Sequence, residues 1–323
     1  MKWVRSVLVA AMLGGAAAPA AAIDKLVVFG DSLVDAGNAY LGTGGLTAQP
    51  GYGYFDGRYS NGPEWTDIIQ KRLTGNYTVP FLLGGENFAV GGAQAAMDRP
   101  LLGFTVPGLA SQLGLFALSG QSIDPNALYV LNFGNNDVSA LLAGLAAAPN
   151  ATAADIFRAQ YTAAFVGNYL GAINYLNAAG ANHFLIGGVP NPDQPEGVAL
   201  EAALQAGFTT LNLKSGTSFT QIDYFGFFSA LRNDPTAFGL PADLDTNLAH
   251  ACVDISAPQS NPNPDCSHYF SFDGIHPTAP IHAALASYIG SLLAVPEPAV
   301  WLQMIAGFGL VGVVIRQRKA AVA

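Results

Sequence analysis

The chain has 323 residues, of which 51% are hydrophobic and only 11% charged, and its 22 acidic and 13 basic side chains give a formal net charge of −9. That balance argues against a nucleic-acid-binding surface and against steady adhesion to anionic lipid. The length allows one large domain with a sizeable core.

At the N-terminus Lys2 and Arg5 precede an apolar stretch from Val7 to Ala18 and the small residues Ala20, Ala21 and Ala22. This order reads as a secretory signal over 1–22, a substrate for signal peptidase; the alternative is a short buried helix. Lys25 to Gly30 is a β-rich run ending in glycine, which predicts a buried strand. A helix follows over 63–73, with Pro63 near its first turn. Further strands are expected over 86–90, 127–133, 183–188 and 218–224. Further helices are expected over 106–118, 138–147, 153–179, 196–213 and 277–293, the last opening on a proline. No internal repeat and no linker divides this region. Strands alternating with helices predict an α/β domain over 23–294, with a parallel sheet and helices on both faces. In such sheets the ligand sits beyond the carboxyl ends of the strands, which directs attention to Ser32, Gly92 and Asn136 after the first three.

Cys252 and Cys266 are the only cysteines. In an exported chain they read first as a disulfide, worth roughly 3 kcal/mol in the chain-entropy picture, and otherwise as two unpaired thiols. There is no CxxC or HxxxH spacing, so no metal and no cofactor is expected. At the far end Ala299 to Ile315 is apolar except for Gln303, and Arg316, Arg318 and Lys319 follow. At about 1.5 Å per residue this run spans roughly 25 Å, the short limit for a membrane helix with its basic end on the cytoplasmic side. Without the two ends the domain loses Lys2, Arg5, Arg316, Arg318 and Lys319 and is more acidic still.

A serine hydroxyl becomes a useful nucleophile only when a base takes its proton and donors await the oxyanion. Phe29-Gly30-Asp31-Ser32-Leu33 places Ser32 where a strand gives way to a helix, although a serine there also suits an N-cap. Phe272-Asp273-Gly274-Ile275-His276-Pro277 spaces Asp273 and His276 so that a carboxylate can orient one ring nitrogen while the other faces the serine. Among five histidines His276 alone combines a loop position with a carboxylate three residues before it. His183 reads as a satisfied core residue, His282 lies on the last helix, and His250 and His268 flank the cysteine loop. Gly91-Gly92 can bring a backbone N–H close to a substrate, or simply supply a positive φ. Asn136, in Gly134-Asn135-Asn136-Asp137, can donate a side-chain amide, or cap a helix.

These four segments, in this order, resemble the four blocks of the GDSL/SGNH hydrolases, and the resemblance covers almost all of the domain. Gly57-Arg58-Tyr59-Ser60-Asn61-Gly62 and Ile222-Asp223-Tyr224 are similar to its longer, lipase-type branch. The resemblance implies Ser32 as nucleophile, His276 as base and Asp273 as its orienting acid. It implies an oxyanion hole from the Ser32 N–H, the Gly92 N–H and the Asn136 side chain, Gly92 being less secure against Gly91. It also implies a three-layer α/β/α sandwich with a flavodoxin-like sheet. Val295-Pro296-Glu297-Pro298, the apolar span and the basic cluster resemble the PEP-CTERM sorting signal, which implies an exosortase-type enzyme acting on the tail 295–323; a plain membrane anchor through 299–315 is the alternative. The expectation is an exported ester hydrolase acting on acyl esters at the periplasm, cell surface or outside the cell. An O-acetyl esterase on exopolysaccharide, acyl transfer to an alcohol, and a non-catalytic matrix-binding protein are the other readings.

Overall fold

The computed structural model describes residues 23–261 and 263–293, so the expected signal segment and sorting tail lie outside the described residues. In chain order the main elements are β1 (Lys25–Gly30), α1 (Asn38–Gly42), α2 (Trp65–Thr74), β2 (Arg99–Leu101), β3 (Phe104–Val106), α3 (Leu109–Leu118), β4 (Ala127–Asn132), α4 (Asn135–Ala147), α5 (Ala151–Ala179), β5 (His183–Gly187), α6 (Pro195–Phe208), β6 (Ser218–Ile222), α7 (Tyr224–Asn233) and α8 (Ala279–Leu292). Strands β1, β4, β5 and β6 pair in that order, all parallel.

Successive strand side chains point to opposite faces, and this period divides the core in two. Val27, Phe29, Tyr129, Leu131, Phe184 and Ile186 pack with α3, α4, α5 and α6 through residues such as Leu109, Leu141, Phe165 and Leu204. Leu26, Val28, Leu128, Val130 and Leu185 pack on the other side with Trp65 of α2, Leu231 of α7 and Leu285 of α8. The result is the expected three-layer α/β/α sandwich. Strand β4 is buried along its whole length, which explains why it reads as a continuous apolar run rather than an alternating one.

The expected strand at 86–90 is corrected to an extended edge segment. It lies beside β1 and exchanges parallel-type bonds with it: Val28 N–H to Glu86 O, Phe88 N–H to Val28 O and Val90 N–H to Gly30 O, at 2.9, 2.7 and 3.1 Å. On its outer edge Asn38 Nδ2 donates to both Asn87 O and Ala89 O, and an isolated bridge joins Asn87 to the 79–81 backbone, Asn87 N–H donating to Val79 O and Phe81 N–H to Asn87 O. Counted as the second strand, this segment gives the spatial order 2-1-3-4-5 of flavodoxin-like sheets, whose switch point lies between the first and third strands. Ser32 and Asn136 follow those two strands.

Three other expectations are corrected. The helix expected over 106–118 begins at Leu109: Val106 instead ends a small antiparallel hairpin, β2–β3, and Pro107-Gly108 separates the two. The run after β6 continues as α7, because Asp223 accepts the Gly226 N–H and caps it. The last helix begins at Ala279, with Thr278 as its cap and Pro280, not Pro277, in its first turn.

The cysteines are joined, Cys252 to Cys266. The bridged segment pairs with the chain just before the His276 turn: Cys252 N–H bonds Ser271 O and Val253 N–H bonds Phe272 O, both at 3.0 Å. Replacing both cysteines by serine is expected to lower folding stability by about 3 kcal/mol, read as a lower denaturant midpoint. An unchanged midpoint would show that these backbone bonds hold the loop without the bridge.

Candidate active site

Gly30 closes β1 under tight constraint. A Cβ there would stand 2.7 Å from Asn132 O, and the Gln112 amide of α3 both accepts the Gly30 N–H (2.9 Å) and donates to its carbonyl (2.8 Å). The chain then turns: Val34 N–H bonds Asp31 O and Leu33 N–H bonds Asp31 Oδ1. Ser32 sits in this turn. It caps no helix, since α1 begins only at Asn38 with Gly37 as its cap.

His276 Nε2 lies 2.8 Å from Ser32 Oγ, and His276 Nδ1 lies 2.7 Å from Asp273 Oδ2. Ser32 and His276 are each 8% exposed. Burial would raise the Asp273 pKa, but the His276 charge and hydrogen bonds from His276 and Tyr54 outweigh it and lower it to about 2. The carboxylate is therefore ionised near neutrality, so Nδ1 must carry the proton and donate, leaving Nε2 to accept from the serine. Asp273 Oδ1 accepts the N–H groups of Ile275 and His276 at 3.0 and 2.8 Å, so the two-residue gap in the sequence is the turn that this carboxylate builds.

The two candidate donors are joined through Arg99. Gly92 has φ 87°, and Arg99 Nη1 lies 3.4 Å from Gly92 O and 3.5 Å from Asn136 Oδ1. Gly91 is distinguished by its N–H, which is held by Asp35 Oδ2 at 2.7 Å. The Ser32 and Gly92 N–H groups have no intramolecular acceptor among the described residues. Asn136 lies in the first turn of α4 rather than in the loop before it. Asp137, beside it, accepts the N–H groups of Ala95 and Ala96 at 2.9 and 3.0 Å and so ties the glycine loop to this helix end.

The remaining histidines are placed elsewhere. His282 is buried on α8, where Nδ1 accepts the Trp65 N–H at 3.3 Å; burial, then the His276 charge, lower its pKa to about 3. His183 meets Ser218 Oγ at 2.8 Å, and His250 and His268 meet Asp245 and Asp243. The Gly57–Gly62 run straps the site to α8: Ser60 Oγ donates to Pro277 O, Asn61 Oδ1 accepts the Ala279 N–H, and the Tyr59 ring packs 4.9 Å from His276. Tyr54, which the sequence did not single out, donates to Asp273 Oδ2 at 2.8 Å. Its only signal was its place in a Gly/Tyr loop beside that run.

A cleft opens at Ser32 and His276, lined by Leu33, Pro190, Phe228, Phe270 and Ile275. The Arg232–Asp193 ion pair (2.7 Å) and Asn191 stand on its wall. A larger groove of about 460 Å³ near Gln70 and Tyr77 contains neither Ser32 nor His276. Among the described residues no group of three or more His, Cys, Asp or Glu could hold a metal ion.

Comparison with known proteins agrees with this geometry. The family model described as GDSL-like Lipase/Acylhydrolase matches residues 26–289. The thermolabile hemolysin of Vibrio parahaemolyticus serotype O3:K6 (strain RIMD 2210633) is 26% identical over 257 residues, covering 74% of this chain and 53% of that protein. The chain thus spans about half the length of this curated relative.

Asp31 carries a pH signature. It is buried with Oδ2 unpartnered, and burial pushes its pKa up to about 7. The unfolded value is about 3.9, so the folded chain keeps a proton that the unfolded chain releases. The stability linked to Asp31 is full below about pH 4 and is lost as the pH rises through about 7. Asp31→Asn keeps Oδ1 for Leu33. Its stability relative to wild type is expected to climb between about pH 4 and pH 8, followed by denaturant unfolding. A pH-independent difference would mean that Asp31 titrates alike in both states.

Proposed function

The chain belongs to the GDSL-like lipase/acylhydrolase family, and from that premise we propose that it is an exported serine hydrolase that cleaves carboxylic esters through an acyl-enzyme on Ser32. The observation that carries the reading is the continuous chain Ser32 Oγ, His276, Asp273, with contacts of 2.8 and 2.7 Å. Ser32 Oγ attacks the ester carbonyl as Nε2 takes its proton, and ionised Asp273 stabilises the imidazolium that forms. The oxyanion is received by the Ser32 and Gly92 N–H groups and the Asn136 amide. Collapse expels the alcohol, which takes the proton from His276. Water activated by His276 then attacks the acyl-enzyme, and the acid leaves.

The apolar side chains at the cleft favour an ester with an apolar acyl part, such as a lipid, over an acetyl group on a glycan. The likeness to a protein named as a hemolysin is in keeping with lipid esters. The order of charged, apolar and small residues over 1–22 supports export through signal peptidase. The Pro-Glu-Pro tail supports handling by an exosortase-type enzyme. Among the described residues no helix is long and apolar enough to cross a membrane; the apolar span 299–315 lies outside them.

Ser32→Ala is expected to abolish hydrolysis of nitrophenyl esters and labelling by a fluorophosphonate, with folding intact by circular dichroism. Full activity in that variant would refute the assignment. Asn136→Ala should lower kcat by about 10²-fold or more, and a rise in KM alone would remove it from the oxyanion site. Rates on short and long acyl esters, set against acetyl release from polysaccharide, test the substrate class; faster acetyl release would overturn the lipid reading. An added alcohol separates hydrolysis from acyl transfer by its product.

A further inference from the structure

Asp273 Oδ2 has two donors. His276 Nδ1 approaches at 2.7 Å and the Tyr54 hydroxyl at 2.8 Å. Oδ1 is already occupied by two backbone N–H groups, so the phenol completes the carboxylate's hydrogen bonding on the side that faces the imidazole. Tyr54 is 9% exposed. Its ring meets Phe272 edge to face at 5.0 Å and Tyr59 at 6.0 Å, and it belongs to the small apolar cluster that contains Val253 and Cys266. The hydroxyl is thus aimed by packing from two segments, the Tyr59 strap and the disulfide-bridged loop. Burial, then the Asp273 charge, raise the phenol's pKa, so it remains a protonated donor through neutral and acidic pH.

We propose that Tyr54 is a positioning residue for the reaction: its hydroxyl holds Asp273 Oδ2 in line with His276 Nδ1 and disperses part of the carboxylate charge. The inference rests on the reading of Ser32 as nucleophile and His276 as base. Two physical effects follow. Holding Oδ2 keeps the imidazole pointed at Ser32 Oγ, and a small misalignment there slows proton transfer without changing how substrate binds. Dispersing the charge weakens the pull of Asp273 on the imidazolium, which keeps the base available at lower pH. The other titratable groups near the ring are Tyr59, packed against it at a tilt, and His282, held neutral by burial. Asp35 and Glu64 act on the Tyr59 phenol. None of these donates to Asp273 Oδ2.

The test is the pH dependence of Ser32 labelling by a fluorophosphonate in the full chain, which reads the triad without requiring the natural ester. Wild type is compared with Tyr54→Phe and with a chain carrying a fluorinated tyrosine at 54, which keeps the ring and its packing and strengthens the donor. Tyr54→Phe is expected to label about tenfold more slowly near neutrality, with its acid limb moved up by about half a pH unit. The fluorinated chain should move the limb down. With an ester substrate the loss in Tyr54→Phe should fall on kcat, with KM within about twofold. Coincident acid limbs in all three proteins would overturn the role of Tyr54 while leaving Ser32 as nucleophile. No labelling in wild type would overturn the Ser32 reading and this inference with it. Labelling without ester turnover would overturn the substrate class alone, the limb still deciding Tyr54.

Discussion

The contact between His276 Nε2 and Ser32 Oγ closes a separation of 244 positions along the chain, and much of the structure can be understood as what brings its two ends to the same place. The serine end is rigid because β1 lies inside the sheet, between the 86–90 segment and β4, and because the Gln112 amide holds Gly30 on both its polar atoms. The histidine end has no such strand. It is a turn whose position is inherited from its neighbours: α8, which follows it, and the 251–253 segment, which pairs with Ser271 and Phe272. Helix α8 is in turn pinned to α2 through Trp65 and His282 and to the strap through Ser60 and Asn61.

Buried carboxylates organise the loops that the sheet leaves irregular. Asp35 accepts the N–H groups of Gly37, Asn38, Ala39 and Gly91. Asp137 accepts those of Ala95 and Ala96 and the Tyr161 hydroxyl. Asp67 takes both arms of Arg58 and the N–H of Thr78. These loops are rich in glycine and alanine, which offer little side-chain packing, so charge-assisted bonds to backbone N–H groups hold their shape. Burial has a cost, because it raises the pKa of Asp35 and Asp137 to about 6 and of Asp31 to about 7. The same arrangement separates two adjacent glycines. The Gly91 N–H is consumed by Asp35, and the Gly92 N–H has no acceptor among the described residues.

The Gly57–Gly62 run gains a physical meaning from this. Arg58 anchors it to α2 through Asp67, while Tyr59, Ser60 and Asn61 reach the imidazole and the start of α8. It supplies none of the reacting atoms. It holds the chain on the C-terminal side of His276 through Pro277 and Ala279, and it packs one side of Tyr54.

Read by itself, the sequence determined the layers and the chemistry. The apolar runs of β1, β4 and β5, the long helix α5, and the positions of Ser32, Asp273 and His276 at turns were legible because each depends on local periodicity or on turn residues acting within a few positions. Tertiary structure decided the rest. The 86–90 segment is an edge whose outer side is shared between the side chain of Asn38, remote in sequence, and the backbone of Val79 and Phe81 at Asn87. Asn136 falls inside the first turn of α4, which packs on the sheet through Val138 and Leu141, and α7 follows β6 under the Asp223 cap. The choice between Gly91 and Gly92, and the selection of Tyr54 from several nearby tyrosines, depended on Asp35 and Asp273 lying 56 and 219 positions away. A local pattern carries no information about such partners, since hydrogen bonds between distant segments exist only once the sheet has brought those segments together.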